Sequence, residues 1–169
     1  NTGSYGVGMY NFGSAPAVTN CLFFSNDGSA GAGGGMYNHS SPVTVFNCTF
    51  SKNTGSYGGA IFNTSSLPTI TNCILWGDTA TNSGNEIYYS VGSMPTVTYS
   101  CVEGTFPGIE NIALPPLFAD ADNDDYSLLS GSPCINEGTA AGAPATDILG
   151  IARPQDSLYD MGAYEYVAE

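Results

Sequence analysis

Positive charge is nearly absent from this chain. Its 169 residues carry 2 Lys plus Arg against 15 Asp plus Glu and 1 His, a formal net charge of −13, so the surface repels polyanions. Nucleic acid and anionic membrane surfaces are excluded as partners. Charged residues of either sign are also scarce, at 10% against about 25% in an average protein. Lys, Arg, Glu and Gln build exposed helix faces, and their scarcity excludes long helices. No run of about 20 apolar residues exists, so membrane insertion is not expected. Apolar residues still make up 42% of the chain, too many for a disordered acidic tail. The length is that of one domain.

What the chain has instead is glycine, asparagine and self-similarity. The hexapeptide NTGSYG at residues 1–6 recurs at 53–58, and the register continues through Met9-Tyr10-Asn11 against Ile61-Phe62-Asn63. A third copy is Gly33-Gly34-Gly35-Met36-Tyr37-Asn38, and a degenerate fourth is Glu86-Ile87-Tyr88-Tyr89. The sequence thus opens inside a repeat, which predicts further coils upstream of Asn1.

Asparagine spacing sets the period. Asn11 to Asn20, Asn38 to Asn47 and Asn63 to Asn72 are each nine apart, and six residues further on come Asn26, Asn53 and Asp78. Asn tolerates left-handed backbone, so these positions read as repeated corners between short strands. Length varies only between the last corner of one unit and the first of the next. Strand-type alternation between corners gives four inward rows: Val18, Val45, Ile70 and Val97; Cys21, Cys48, Cys73 and Cys101; Phe23, Phe50 and Leu75; Met9, Met36, Ile61 and Ile87. Strands this short bury such rows only when coils stack about 4.8 Å apart, which makes the chain an all-β solenoid of parallel coils.

These residues also carry a family resemblance. Gly58-Gly59-Ala60-Ile61, Phe23-Phe24-Ser25-Asn26 and Phe50-Ser51-Lys52-Asn53 resemble the right-handed parallel β-helix repeats of bacterial surface proteins, the polymorphic outer membrane proteins among them. Ser132-Pro133-Cys134-Ile135-Asn136, Asp147 with Gly150, Arg153-Pro154 and Asp160-Met161-Gly162-Ala163-Tyr164-Glu165 resemble the closing segment of secreted β-helix proteins of the choice-of-anchor type. The resemblance implies a right-handed single-stranded parallel β-helix of about four coils plus a C-terminal closing segment, with residues 1–102 as coils and 103–169 as final coils and cap. It also implies an extracellular or cell-surface location in a bacterium. It implies no particular activity, since β-helices host lyases, hydrolases, adhesins and spacers alike.

The candidate functional residues are few. Tyr10, Tyr37, Phe62 and Tyr88 share one coil position and face outward if the Met/Ile row faces in, an aromatic stripe suited to neutral glycan. Asp120, Asp122 and Asp124 alternate in an acidic run that suits Ca²⁺, though without the spaced Glu and turn Gly of an EF-hand loop. The cysteines lack C-x-x-C spacing and read as small internal hydrophobes, reduced. His39 reads as a turn residue. Lys52 lies beside a corner, and Arg153 is expected to pair with Asp147, Asp160 or Glu165. With so few cations, no lyase or hydrolase machinery is legible. The reading is a non-catalytic extracellular structural or adhesive module, with neutral glycan or a cell-surface polymer as partner. Its open strand edges favour end-to-end self-association. The C-terminal part of a β-helix polysaccharide lyase or hydrolase is the alternative. An ice-binding solenoid, suggested by Thr19, Thr69, Thr71, Thr96 and Thr98, is the lesser one.

Overall fold

Each strand of the first three coils is followed directly by one left-handed residue, and that rule generates the fold. The structure is a computed structural model and describes residues 1–168. The first coil holds β1 (Met9–Phe12), β2 (Ala17–Thr19), β3 (Leu22–Phe24) and β4 (Asp27–Ala32). The second holds β5 (Met36–His39), β6 (Thr44–Phe46), β7 (Thr49–Ser51) and β8 (Thr54–Tyr57). The third holds β9 (Ile61–Thr64), β10 (Thr69–Thr71), β11 (Ile74–Trp76) and β12 (Thr79–Ser83), and the fourth β13 (Ile87–Tyr89), β14 (Thr96–Thr98) and β15 (Cys101–Val102). In the second coil the residues directly after the strands are Ser40, Asn47, Lys52 and Gly58, with φ of 49°, 45°, 55° and 61°. The third coil repeats this with Ser65, Asn72, Gly77 and Gly84. Each such residue turns the chain through one corner, so like strands of successive coils stack as parallel sheets ordered β1-β5-β9-β13, β2-β6-β10-β14, β3-β7-β11-β15 and β4-β8-β12.

Pairing is in register, with Met9, Met36, Ile61 and Ile87 in one column and Val18, Val45, Ile70 and Val97 in another. These columns and Phe50 and Leu75 form the interior core. Phe23 and Phe50 stack inside it, 4.6 Å apart and 4° from parallel. The bulged pairing falls in the β4-β8-β12 sheet, where the coil length varies.

Two expectations are corrected. Of the asparagines that recur in the coils, Asn20, Asn47 and Asn72 are the left-handed corners. Asn11, Asn38 and Asn63 lie within strands and point inward as an amide ladder, Nδ2 to Oδ1 at 2.9 Å from each to the next. Asn26 and Asn53 form a second ladder, Asn1 to Asn26 to Asn53, that ends on Asp78. The buried amides bond one another between coils, down to Asn63, whose own Nδ2 is buried without a partner. The cysteine row is also one residue out in the last coil: Cys101 pairs with Ile74. Ser100 takes the row position, its Oγ accepting from Cys73 N as Cys48 Sγ accepts from Cys21 N. Cys101 therefore faces outward.

Beyond the coils, residues 103–113 lie over the end of the stack, with Phe106 against the core and Ile112 bridged to Cys101. The rest runs along the flank. Strands β16 (Phe118–Asp120) and β17 (Asp125–Leu128) make an antiparallel pair around a 3-10 turn, Ala121–Asn123. An irregular hairpin follows, bridged at Gly138–Tyr159 and Thr146–Ala152. It docks on the corner amides: Asn72 Nδ2 donates to Thr139 O, Asn47 Nδ2 to Asp160 O, and Asn20 Nδ2 to Thr146 O. Met161, Cys134 and Leu128 cover the outer side of Ile74 and Cys101 as a second core. Residues 162–167 form no strand among the described residues.

Candidate functional site

The outer face of the β1-β5-β9-β13 sheet is aromatic because alternation puts Met9, Met36, Ile61 and Ile87 inside and the next residue of each strand outside. Register brings all four predicted residues together: Tyr10 beside Tyr37, Tyr37 beside Phe62, Phe62 beside Tyr88. Ring centroids are 5.2, 4.9 and 5.3 Å apart along the column. Tyr37 and Phe62 lie 6° from parallel, so each covers a face of the other. Tyr10, 51% exposed, presents its ring most openly.

The face is wider than the stripe. Tyr5 flanks Tyr37 at 5.8 Å, Tyr57 flanks Tyr88 at 4.8 Å, and Phe12 lies 5.1 Å from the His39 ring. His39 ends β5 with Nδ1 3.4 Å from the Tyr37 hydroxyl; it belongs to this face rather than to a turn. These additions were legible in the repeat, since Tyr5 and Tyr57 are one position of the NTGSYG copies, and Phe12 and His39 stand two residues after Tyr10 and Tyr37. Burial, then the neighbouring Tyr10 and Tyr5 phenols, push the Tyr37 hydroxyl up. It stays neutral at physiological pH.

The acidic run is spread over separate local contacts. Asp120 accepts from Asn123 N and Nδ2, Asp122 pairs with Lys52 Nζ at 2.9 Å, and Asp124 takes a left-handed turn position. No group of three or more His, Cys, Asp or Glu that suits a metal ion is present among the described residues. Arg153, of its three expected partners, pairs with Glu165 (Nη1 to Oε2, 2.6 Å) and donates to Gly162 O, entirely buried. The threonine columns are interrupted by Ala17 and Phe46, and the hairpin lies against the Phe46 ring at Gly142.

A further cluster is carboxylic. Asp78 Oδ1 accepts from Asn53 N and Nδ2, both at 2.7 Å, and Glu86 Oε1 accepts from Asp78 N at 3.2 Å. The remaining oxygens, Asp78 Oδ2 and Glu86 Oε2, are buried without a donor, and the two side chains touch. A proton held between them satisfies both. Burial pushes Asp78 up to about 7, and burial with the Asp78 charge pushes Glu86 up to about 11. The signal was Asp78 standing where Asn26 and Asn53 stand. A cleft of about 450 Å³ at this end of the stack is lined by Glu86, Glu103 and Phe106.

A family model described as a right handed beta helix region matches residues 1–113. The chain belongs to the right-handed β-helix family. The match ends where the flank begins, so the family covers the coils and their end. No curated protein and no solved structure matches the chain. A right-handed β-helix with a continuous aromatic face fits a structural or carbohydrate-related module.

Proposed function

We propose that this β-helix is a non-catalytic structural and adhesive module of an extracellular or cell-surface protein, of the bacterial surface type its repeats resemble, and that its aromatic face contacts neutral glycan or a cell-surface polymer. The in-register column of rings on one parallel sheet supports the reading. Because Tyr37 and Phe62 cover each other, sugar C–H groups meet ring edges and the open face of Tyr10, with phenol hydroxyls as hydrogen-bonding partners. The face has no convergent polar pocket to orient one sugar, which favours weak contact repeated along a polymer. Both cations are engaged elsewhere, which argues against acidic polysaccharide.

The test is retention on glycan affinity gels and a glycan array. The chain is retained by a neutral polymer, and a Tyr37→Ala, Tyr88→Ala double variant that keeps its β circular dichroism is not. No retention on any neutral glycan would leave a passive spacer. Self-association of the 169-residue chain belongs to the same proposal: among the described residues β1, β2 and β3 pair on one side only, and a strand edge of that kind can add to another coil. Analytical ultracentrifugation at rising concentration detects it; a strict monomer refutes it.

A further inference from the structure

All five thiols are free, and they stand in two kinds of surroundings. Cys21, Cys48 and Cys73 stack inside the solenoid, each Sγ donating at 3.2 Å to the carbonyl two residues before it. At equivalent positions of stacked parallel coils their Cα–Cβ bonds point the same way, which opposes the near-perpendicular dihedral of a disulfide. Cys101 differs. Its pairing with Ile74 turns it to the outer face of β15, the face that the flanking segment covers. Cys134 arrives from that segment, its carbonyl accepting from Met161 N at 2.9 Å. Both cysteines are fully buried and packed in one cluster with Ile74, Leu128 and Met161, where Cys101 Sγ donates to Leu114 O at 3.2 Å. They approach from opposed elements, the arrangement that the interior row lacks.

We propose that Cys101 and Cys134 are a dithiol–disulfide pair that staples the flanking segment to the last coil. The oxidant is a small-molecule disulfide such as oxidised glutathione. One protein thiolate attacks a sulfur of that disulfide, forming a mixed disulfide and releasing one small thiol; the second protein thiolate then attacks the protein-side sulfur and releases the other. The protein gives up two electrons and two protons, and the oxidant leaves as two thiols. The contact with Cys101 and burial push the Cys134 thiol well above the ordinary range, so the closed fold is unreactive. Exchange proceeds while the flank is open, during folding or by local unfolding. The bond closes the loop from 101 to 134, which carries the β16–β17 pair.

The test uses the whole 169-residue chain, reduced, then equilibrated with oxidised glutathione, denatured, alkylated and weighed intact. The reduced protein gives five alkylated thiols. The equilibrated protein gives three, and peptide mapping without reductant links the Cys101 peptide to the Cys134 peptide. Cys134→Ser gives four thiols before and after; should that variant not fold, the wild-type count and map decide alone. Five thiols after equilibration, a link within Cys21, Cys48 and Cys73, or glutathione left on Cys101 or Cys134 would each overturn the pairing. An oxidised form that melts no higher than the reduced one would remove the stapling role.

Discussion

Asp78→Asn should stabilise this protein at neutral pH and leave it unimproved in acid. The substitution completes the ladder that Asn26 and Asn53 begin: an amide Oδ1 accepts from Asn53 as Asp78 Oδ1 does now, and its Nδ2 puts a neutral donor in place of the buried, partnerless Oδ2. In the unfolded chain Asp78 titrates at its ordinary value of 3.8, whereas in the fold it is held at about 7. Between these values the native state keeps a proton that the unfolded state has lost, so the wild-type protein loses stability as pH rises from about 4 to about 7. A separation of about three pH units corresponds to about 4 kcal/mol. Asparagine must still bury its amide, so the net gain expected at pH 7.5 is about 1–3 kcal/mol, or roughly 3–10 °C in melting temperature for a chain of this size. Removing the Asp78 charge also relieves Glu86, which flattens the pH dependence further. The assay is thermal unfolding by circular dichroism of both proteins between pH 4 and pH 8. Subtracting one curve from the other removes the carboxylates common to both except Glu86, whose relief adds to the difference in the same direction. A difference that does not grow with pH, or a variant that melts below wild type at pH 7.5, would refute the shared proton.

Ile70→Asp places a charge in the packed interior column and should cost about 4 kcal/mol or more; loss of the β circular dichroism signal at 25 °C is the readout. Arg153→Met leaves Glu165 buried without its partner and should cost about 3–5 kcal/mol by urea denaturation. Asn47→Ala forces alanine into φ 45° and removes the donors to Asp160 O and Gly162 O, about 2–4 kcal/mol. Asn47→Gly keeps the conformation and loses only the hydrogen bonds, so its urea midpoint should fall between alanine and wild type.

Period and parity were legible because both follow from backbone geometry that repeats with the sequence. The nine-residue interval between asparagines and the alternation of apolar residues place Val18, Val45, Ile70 and Val97 in one column without reference to anything distant. Asparagine itself was ambiguous. The same residue type serves a left-handed corner at Asn47 and a buried ladder at Asn38, and only φ and burial separate the two. Cys101 misled for a related reason: a cysteine near the expected interval outweighed Ser100, though a hydroxyl fills the same role toward Cys73 N. The flank left no periodic trace, since it is held by corner amides and by Arg153 rather than by strand pairing. Its contacts join residues far apart in sequence, such as Asn20 with Thr146, which no local pattern encodes. The aromatic stripe followed from parity alone, whereas the Asp78–Glu86 pair required knowing that Asp78 points inward.

The flanking hairpin also measures. Its outgoing arm meets Asn72 at Thr139, Phe46 at Gly142 and Asn20 at Thr146, so it descends the third, second and first coils in a handful of residues. Coil number and arm length are therefore locked together like a vernier and its scale. A coil inserted between Asn20 and Asn72 would displace one anchor from its acceptor by about 4.8 Å, too far for any side-chain adjustment to restore. Duplication of coils, the easiest way for a solenoid to lengthen, is therefore open to this protein only outside the stretch that the hairpin spans, unless the hairpin lengthens in the same step.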